Sequence, residues 1–157
     1  MKKVVLFAIA LLGCAVMATA QPKAIGGRLG WGLGASYEHY LGEPHFLEFD
    51  AEMFNVDNIG FRLDGIYNFV FAEPDWTPRG TWQWYAGPGV ALGSAYYNND
   101  DNFFFLFEGQ VGLEYKFWFN LQLSADLRPG FGICDGEFFT DGFYYGFVPT
   151  LSVRYYF

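Results

Sequence analysis

The sequence is short of cysteine, short of positive charge and, past its first twenty residues, without a long apolar run. Each shortage closes off a class of protein. Of the two cysteines, Cys14 lies in the leader described below and only Cys134 stays with the mature chain, so no internal disulfide staples the fold. Nine Lys and Arg against seventeen Asp and Glu give a net charge of −8, the wrong sign for gripping nucleic-acid phosphates. No run past residue 20 approaches the roughly 18–20 unbroken apolar residues of a spanning helix. Charged residues make up only 17% and aromatics 22%, the reverse of the balance in disordered chains. What is present is a chain of 157 residues with 20 Gly, 19 Phe, 11 Tyr and 5 Trp, sized for a single domain.

The N-terminus reads as an export signal. Lys2 and Lys3 precede an apolar stretch from Val4 to Leu12, and Ala18-Thr19-Ala20 offers small residues where a signal peptidase cuts. The expectation is a signal peptide over residues 1–20 and a mature domain over 21–157. Leu11-Leu12-Gly13-Cys14 resembles the lipobox of bacterial lipoproteins, but the residues after it, Ala15 to Ala20, are not the polar tether of a lipid-anchored domain.

The remainder alternates with period two, the mark of strands with two unlike faces. Over 121–133 the odd positions include Leu121, Leu123, Ala125, Leu127, Phe131 and Ile133, and the even ones Gln122, Ser124, Asp126 and Arg128. Over 45–54, Glu48, Asp50 and Glu52 oppose Leu47, Phe49, Ala51 and Met53. In 59–71 and 103–117 the charges again share one parity. Thirteen charged residues fall on one face and none on the other: Arg28, Glu38, Glu48, Asp50, Glu52, Arg62, Asp64, Glu108, Glu114, Lys116, Asp126, Arg128 and Arg154.

A soluble calyx would alternate too. Two features favour a membrane barrel with its apolar face outward. The runs of about 11–17 residues exceed ordinary soluble strands and can cross a bilayer at a tilt. Aromatics also cluster near the strand ends on the apolar face (Trp82, Trp84, Tyr155 and Phe157; Phe103, Phe105, Phe143 and Tyr145), as interfacial girdles do. In lipid every strand edge must be paired, which demands closure.

Seven runs are visible, and an exported bacterial barrel needs an even number. The first run must therefore reverse at Gly30-Trp31-Gly32-Leu33-Gly34. The fold class expected is an all-β, up-and-down, eight-stranded antiparallel transmembrane β-barrel. Its strands lie near 24–30, 34–41, 45–55, 59–72, 81–97, 103–117, 121–134 and 143–157, with bulges or strand ends at Pro88, Pro129 and Pro149.

At this point the chain resembles small eight-stranded outer-membrane β-barrel proteins of the OmpA/OmpX-like kind. The resemblance is most specific in the last strand, Phe147 to Phe157, whose alternation ends on a terminal Phe. It extends to Gly112-Leu113-Glu114-Tyr115-Lys116-Phe117 followed by Leu121-Gln122-Leu123-Ser124, a strand–turn–strand unit of this group. It implies residence in the outer membrane of a Gram-negative bacterium, contact with its lipid, and an assembly signal at Tyr155 and Phe157 for the barrel-assembly machinery. Members of the group differ in activity, so no function transfers with the fold.

Some barrels of this size modify lipids, using His with Ser and an acid. The two histidines here, His39 and His45, flank the 40–44 connection, which the even-strand topology assigns to the periplasm, and no such triad converges on the outer side. No catalytic, cofactor-binding or metal-ligating set is read from the sequence, and no enzymatic activity is expected. The glycines at 26–30 and 87–89 do not lead from a strand into a helix, which a phosphate loop requires. The connections assigned outward carry Asp57, Asp100, Asp101, Asp135, Glu137 and Asp141 and no base. They are oxygen-rich enough to contact a divalent cation, although solvation alone accounts for them.

The interior decides between pore and plug. Eight strands leave room only for side chains, and eight inward carboxylates face five inward cations. The arginines are expected to bridge them, with trapped water or protons meeting the surplus and inward glycines of the fifth strand making room for Tyr85, Tyr144 and Tyr156. The reading preferred is a plugged structural or surface-interaction protein acting through its outward loops, its extracellular partner unspecified. The alternatives are a lipid-modifying enzyme or a narrow cation-preferring channel.

Overall fold

A computed structural model describes residues 23–30, 32–42, 44–55, 59–97, 100–140 and 148–157. The expected signal peptide over residues 1–20, with Cys14, lies outside these residues. Ten ladder segments follow in chain order: β1 (Lys23–Leu29), β2 (Gly32–Gly42), β3 (His45–Asn55), β4 (Ile59–Ala72), β5 (Thr81–Tyr97), β6 (Asp100–Lys116), β7 (Gln122–Leu127), β8 (Gly130–Cys134), β9 (Glu137–Thr140) and β10 (Thr150–Tyr156). Every pairing is antiparallel. Each segment from β1 to β6 pairs with the next, β6 pairs with β7, β7 with β10, and β10 with β1. That circuit closes the sheet.

The ten segments make eight staves. β7 and β8 both pair with β6 in one unbroken register, with Gly112 opposite Asp126 and Glu108 opposite Gly130. Only Arg128 and Pro129 lie between them, and there the Gly109 N–H still donates to the Pro129 carbonyl at 2.9 Å. β9 and β10 share the eighth stave. Ten steps from Thr140 to Thr150 on this stave span five on its neighbour, Asp126 to Phe131, so five additional residues fall between β9 and β10.

The first two segments are a true hairpin, Leu29 paired with Leu33 and Arg28 with Gly34. Pro149 immediately precedes β10. Pro88 behaves differently. It stays inside β5, opposite Gly109, but the ladder to β4 jumps from Ile66–Gly89 to Phe69–Ala86, leaving a local gap where the missing donor would have bonded.

Both termini meet at one end, here called the base, where Lys23 and Phe157 exchange backbone hydrogen bonds of 3.0 and 2.8 Å. At the opposite end, the rim, the described strands are joined by tight connections. Leu29 already pairs with Leu33, Asn55 with Ile59, Tyr97 with Asp100 and Cys134 with Glu137, which leaves two or three residues per turn. At the last of these, Asp135 and Gly136 both take positive φ (49° and 87°), the conformation of a two-residue hairpin. Segment 137–140 is therefore strand, where the sequence reading had placed an acidic loop. The segment 143–147, with Phe143, Tyr144 and Tyr145, lies outside the described residues, as do Asp57 and Asp141.

The outward face is apolar. Ile25, Leu33, Phe49, Leu63, Val90, Phe107, Leu123 and Val153 are all exposed there. Aromatics gather toward both ends of it. Near the base, Trp82 packs on Trp76 (5.4 Å between ring centroids) and on Tyr115 (4.6 Å), and Tyr155 stacks with Phe157 (6.4 Å). Toward the rim, Phe107 packs on Phe105 (5.2 Å) and Phe131 (6.2 Å).

Candidate functional site: the charged lumen

Because strand side chains alternate and every stave is in the circuit, one parity of each segment converges on the barrel axis. All thirteen charged strand residues have that parity. Ten of them are buried; Glu52, Arg62 and Lys116 are half-buried.

Glu48 is the hub. It is fully buried, and three arginines reach it: Arg128 at 2.9 Å, Arg28 at 3.5 Å, and Arg154. Arg28 also forks onto Asp126, with bonds of 2.8 and 3.1 Å, lies 3.4 Å from Asp50, and bonds Glu52 through Nε. Arg128 adds Asp50 at 2.6 Å and Asp126 at 3.1 Å. Planar guanidinium suits this task because its fork meets two carboxylates, or both oxygens of one, without bending.

Two smaller groups flank the hub. Toward the base, Arg154 pairs with Glu38 at 2.7 Å and approaches Glu114 at 3.8 Å, while it donates to Ser36 and Ser124 Oγ, each at 2.8 Å. Gln122 Nε2 donates to Glu38 (2.5 Å) and Glu114 (3.0 Å), and Tyr40 Oη donates to Glu38 (3.0 Å). Lys116 Nζ lies 3.5 Å from Glu114 and 4.2 Å over the Tyr40 ring. Toward the rim, Arg62 bridges Asp64 (2.6 Å) and Glu108. Every one of the eight carboxylates thus touches a cation. Such pairing is what allows charge to be buried at all, since an uncompensated buried ion costs several kcal/mol (roughly 3–5 when one partner is removed).

Tyr85 fills the centre. It is buried, meets Phe46 edge-on at 5.4 Å, and lies against Gly112, where a Cβ would run into its ring. Sequence reasoning had assigned the vacated space to glycines of β5. It is a glycine of β6 that admits the ring. Tyr156 points its hydroxyl to the Phe117 carbonyl at 3.1 Å. The neutral inward groups Ser36, Tyr40, Asn68, Gln110, Gln122 and Ser124 complete the network, with Asn68 donating to Glu48 (3.1 Å) and Gln110 (2.8 Å). A count restricted to charges passes over them, although they share the parity of the charges.

This is the fold of small eight-stranded outer-membrane barrels. The chain is similar to the N-terminal β-barrel domain of Pseudomonas aeruginosa OprF, with a TM-score of 0.60 and 18% identity over 87% of this chain and 96% of that one. It also matches Neisserial surface protein A (TM-score 0.45, 12% identity, 86% and 90% coverage). No protein-family model matches the sequence, and no curated protein matches it at a significant level.

The remaining sequence candidates do not join the lumen. His39 and His45 lie near the base and each shares a hydrogen bond with a tyrosine: His39 Nδ1 with Tyr37 Oη at 3.3 Å, and His45 Nδ1 with Tyr67 Oη at 2.9 Å. Ser36 and Ser124 face Arg154, not a histidine. Of the rim acids, Asp100 and Asp101 belong to β6 and Glu137 to β9, while Asp135 occupies the turn and accepts from the Phe103 N–H at 3.1 Å. Among the described residues no group of three or more His, Cys, Asp or Glu is disposed to hold a metal ion.

Proposed function

We propose that this protein resides in the outer membrane of a Gram-negative bacterium as a sealed, non-conducting barrel with a structural or surface-presenting role, and that it is not an enzyme. The observation that carries this reading is the segregation of charge: thirteen paired ions inside, an apolar skin with aromatic belts outside. A wet pore leaves its charges solvated and mobile. Here arginines cross-link staves that are far apart in sequence, such as β1 to β7 through Arg28–Asp126 and β10 to β3 through Arg154–Glu48. The outward placement of Tyr155 and Phe157 on the closing stave supports recognition by the barrel-assembly machinery. With two or three residues in each rim turn between described strands, surface presentation would centre on acidic hairpin tips such as Asp135-Gly136.

Two measurements test the proposal. Membranes washed with carbonate or high salt should retain the protein, and detergent extracts should show a heat-induced shift in gel migration. Release by the wash ends the membrane reading. Purified barrel in planar bilayers should give no steady single-channel current. Steady conductance would replace the sealed lumen with the narrow cation-preferring channel.

A further inference from the structure

The chain's nine basic residues are placed with economy. Lys2 and Lys3 belong to the leader, five line the lumen, and Lys23 is buried at the base. The ninth, Arg79, is exposed in the base turn 73–80 that joins β4 to β5. Among the described residues it makes no ion pair, although Glu73 and Asp75 share its turn; Glu73 instead accepts from Gln83 Nε2 at 2.9 Å.

Its backbone is nonetheless fixed. The Arg79 carbonyl accepts from Thr77 Oγ1 and from Tyr115 Oη, both at 2.8 Å, and Trp82 Nε1 donates to Thr77 Oγ1 at 3.2 Å. Gly80 follows with φ 74°, where a Cβ would press on the Lys116 carbonyl at 2.6 Å. The guanidinium lies 5.8 Å above the centre of the Trp118 ring. Trp118 is 62% exposed, and Phe119, whose ring packs on it at 5.4 Å, is 47% exposed. An unpaired guanidinium is thus held at the level of an exposed aromatic belt, aimed by a cation–π contact.

We propose that Arg79 binds the phosphate of a phospholipid in the periplasmic leaflet, with Trp118 and Phe119 lying against its glycerol and upper acyl region. The fork of the guanidinium matches two phosphate oxygens. The aromatic belt supplies the apolar half of the site, which a free phosphate does not use. This rests on the proposed outer-membrane residence and on the assignment of the 40–44 connection, which lies at the base, to the periplasm.

The test uses the full mature barrel in detergent micelles, with lipid adducts counted by native mass spectrometry. Phosphatidylglycerol should be retained, diacylglycerol (the same tail without phosphate) should not, and millimolar inorganic phosphate should leave the adduct in place. Arg79→Gln should cut phosphatidylglycerol retention about tenfold, the loss of one charge-assisted bidentate contact. Arg79→Lys should fall between. Because Arg79 is exposed, both variants should keep the heat-induced gel shift, and that shift confirms an intact barrel. Equal retention by wild type and Arg79→Gln, or displacement by inorganic phosphate, overturns the proposal. The orientation is read separately: Asp75→Cys in a Cys134→Ser background should resist impermeant thiol reagents on intact cells. Labelling there would turn the base outward and overturn the choice of leaflet without touching the phosphate contact.

Discussion

Replacing Arg154 by methionine removes a charge from a side chain that is wholly buried while keeping most of its length. Arg154 is the sole cation paired with Glu38 among the described residues, so Glu38 would be left with Gln122 and Tyr40 as neutral donors. Glu48 would keep Arg28 and Arg128, and Glu114 would keep Lys116. One carboxylate is therefore stranded outright and two are weakened. Stranding a buried charge costs about 3–5 kcal/mol, whereas losing a solvated pair costs about 0–1 kcal/mol. Urea titration of the refolded barrel in micelles, followed by tryptophan fluorescence and the gel shift, measures the difference. The double variant Arg154→Met/Glu38→Gln should recover about 1–3 kcal/mol, the penalty of the stranded charge. A loss under about 1 kcal/mol for the single variant, or no recovery in the double, would mean that water reaches the lumen freely. That result would refute the sealed interior itself.

Arg128→Ala should cost less than Arg154→Met, about 3 kcal/mol, because Glu48, Asp50 and Asp126 all keep Arg28; planar bilayers should still show no current. Tyr85→Phe should change urea stability by under about 0.5 kcal/mol, since its buried hydroxyl has no hydrogen-bond partner among the described residues; a larger loss would reveal a bound lumen water. Gly112→Val should destabilise the barrel by about 1–3 kcal/mol by driving into the Tyr85 ring, and Tyr85→Leu in the same background should restore part of that, as read by the same titration. Glu137→Cys, again with Cys134→Ser, should react with impermeant reagents on intact cells, in contrast to Asp75→Cys.

The strands at 45–55, 59–72 and 81–97 were legible to the residue, because lumen charges such as Glu48, Asp50 and Arg62 pin their parity. Where polar residues sit in the ladder, the reading stopped short. Asp100 and Asp101 pass for loop by composition, yet Asp100 pairs with Tyr97 and opens β6. Asp135-Gly136 is a hairpin signal of the strongest kind; the acids around it drew attention to solvation instead. Which charges would line the interior follows from parity alone. Which arginine meets which carboxylate depends on the stagger between staves, and no local pattern encodes that. Nor does sequence say that Tyr85 reaches across to Gly112, since the two lie on neighbouring staves paired by a turn whose register had to be seen.

The cropped rim has a consequence for what can vary. In a barrel with long outward loops, the loops drift and lengthen while the staves stay constant, so recognition by antibodies, phages or neighbouring cells tracks a changing canopy. Here the four rim turns between described strands hold only two or three residues each. Each is about as long as strand reversal requires, so added length at these turns must be imported whole. The Asp135-Gly136 corner is where an inserted epitope would stand clear of its neighbours, with β8 and β9 already paired beneath it as a pedestal.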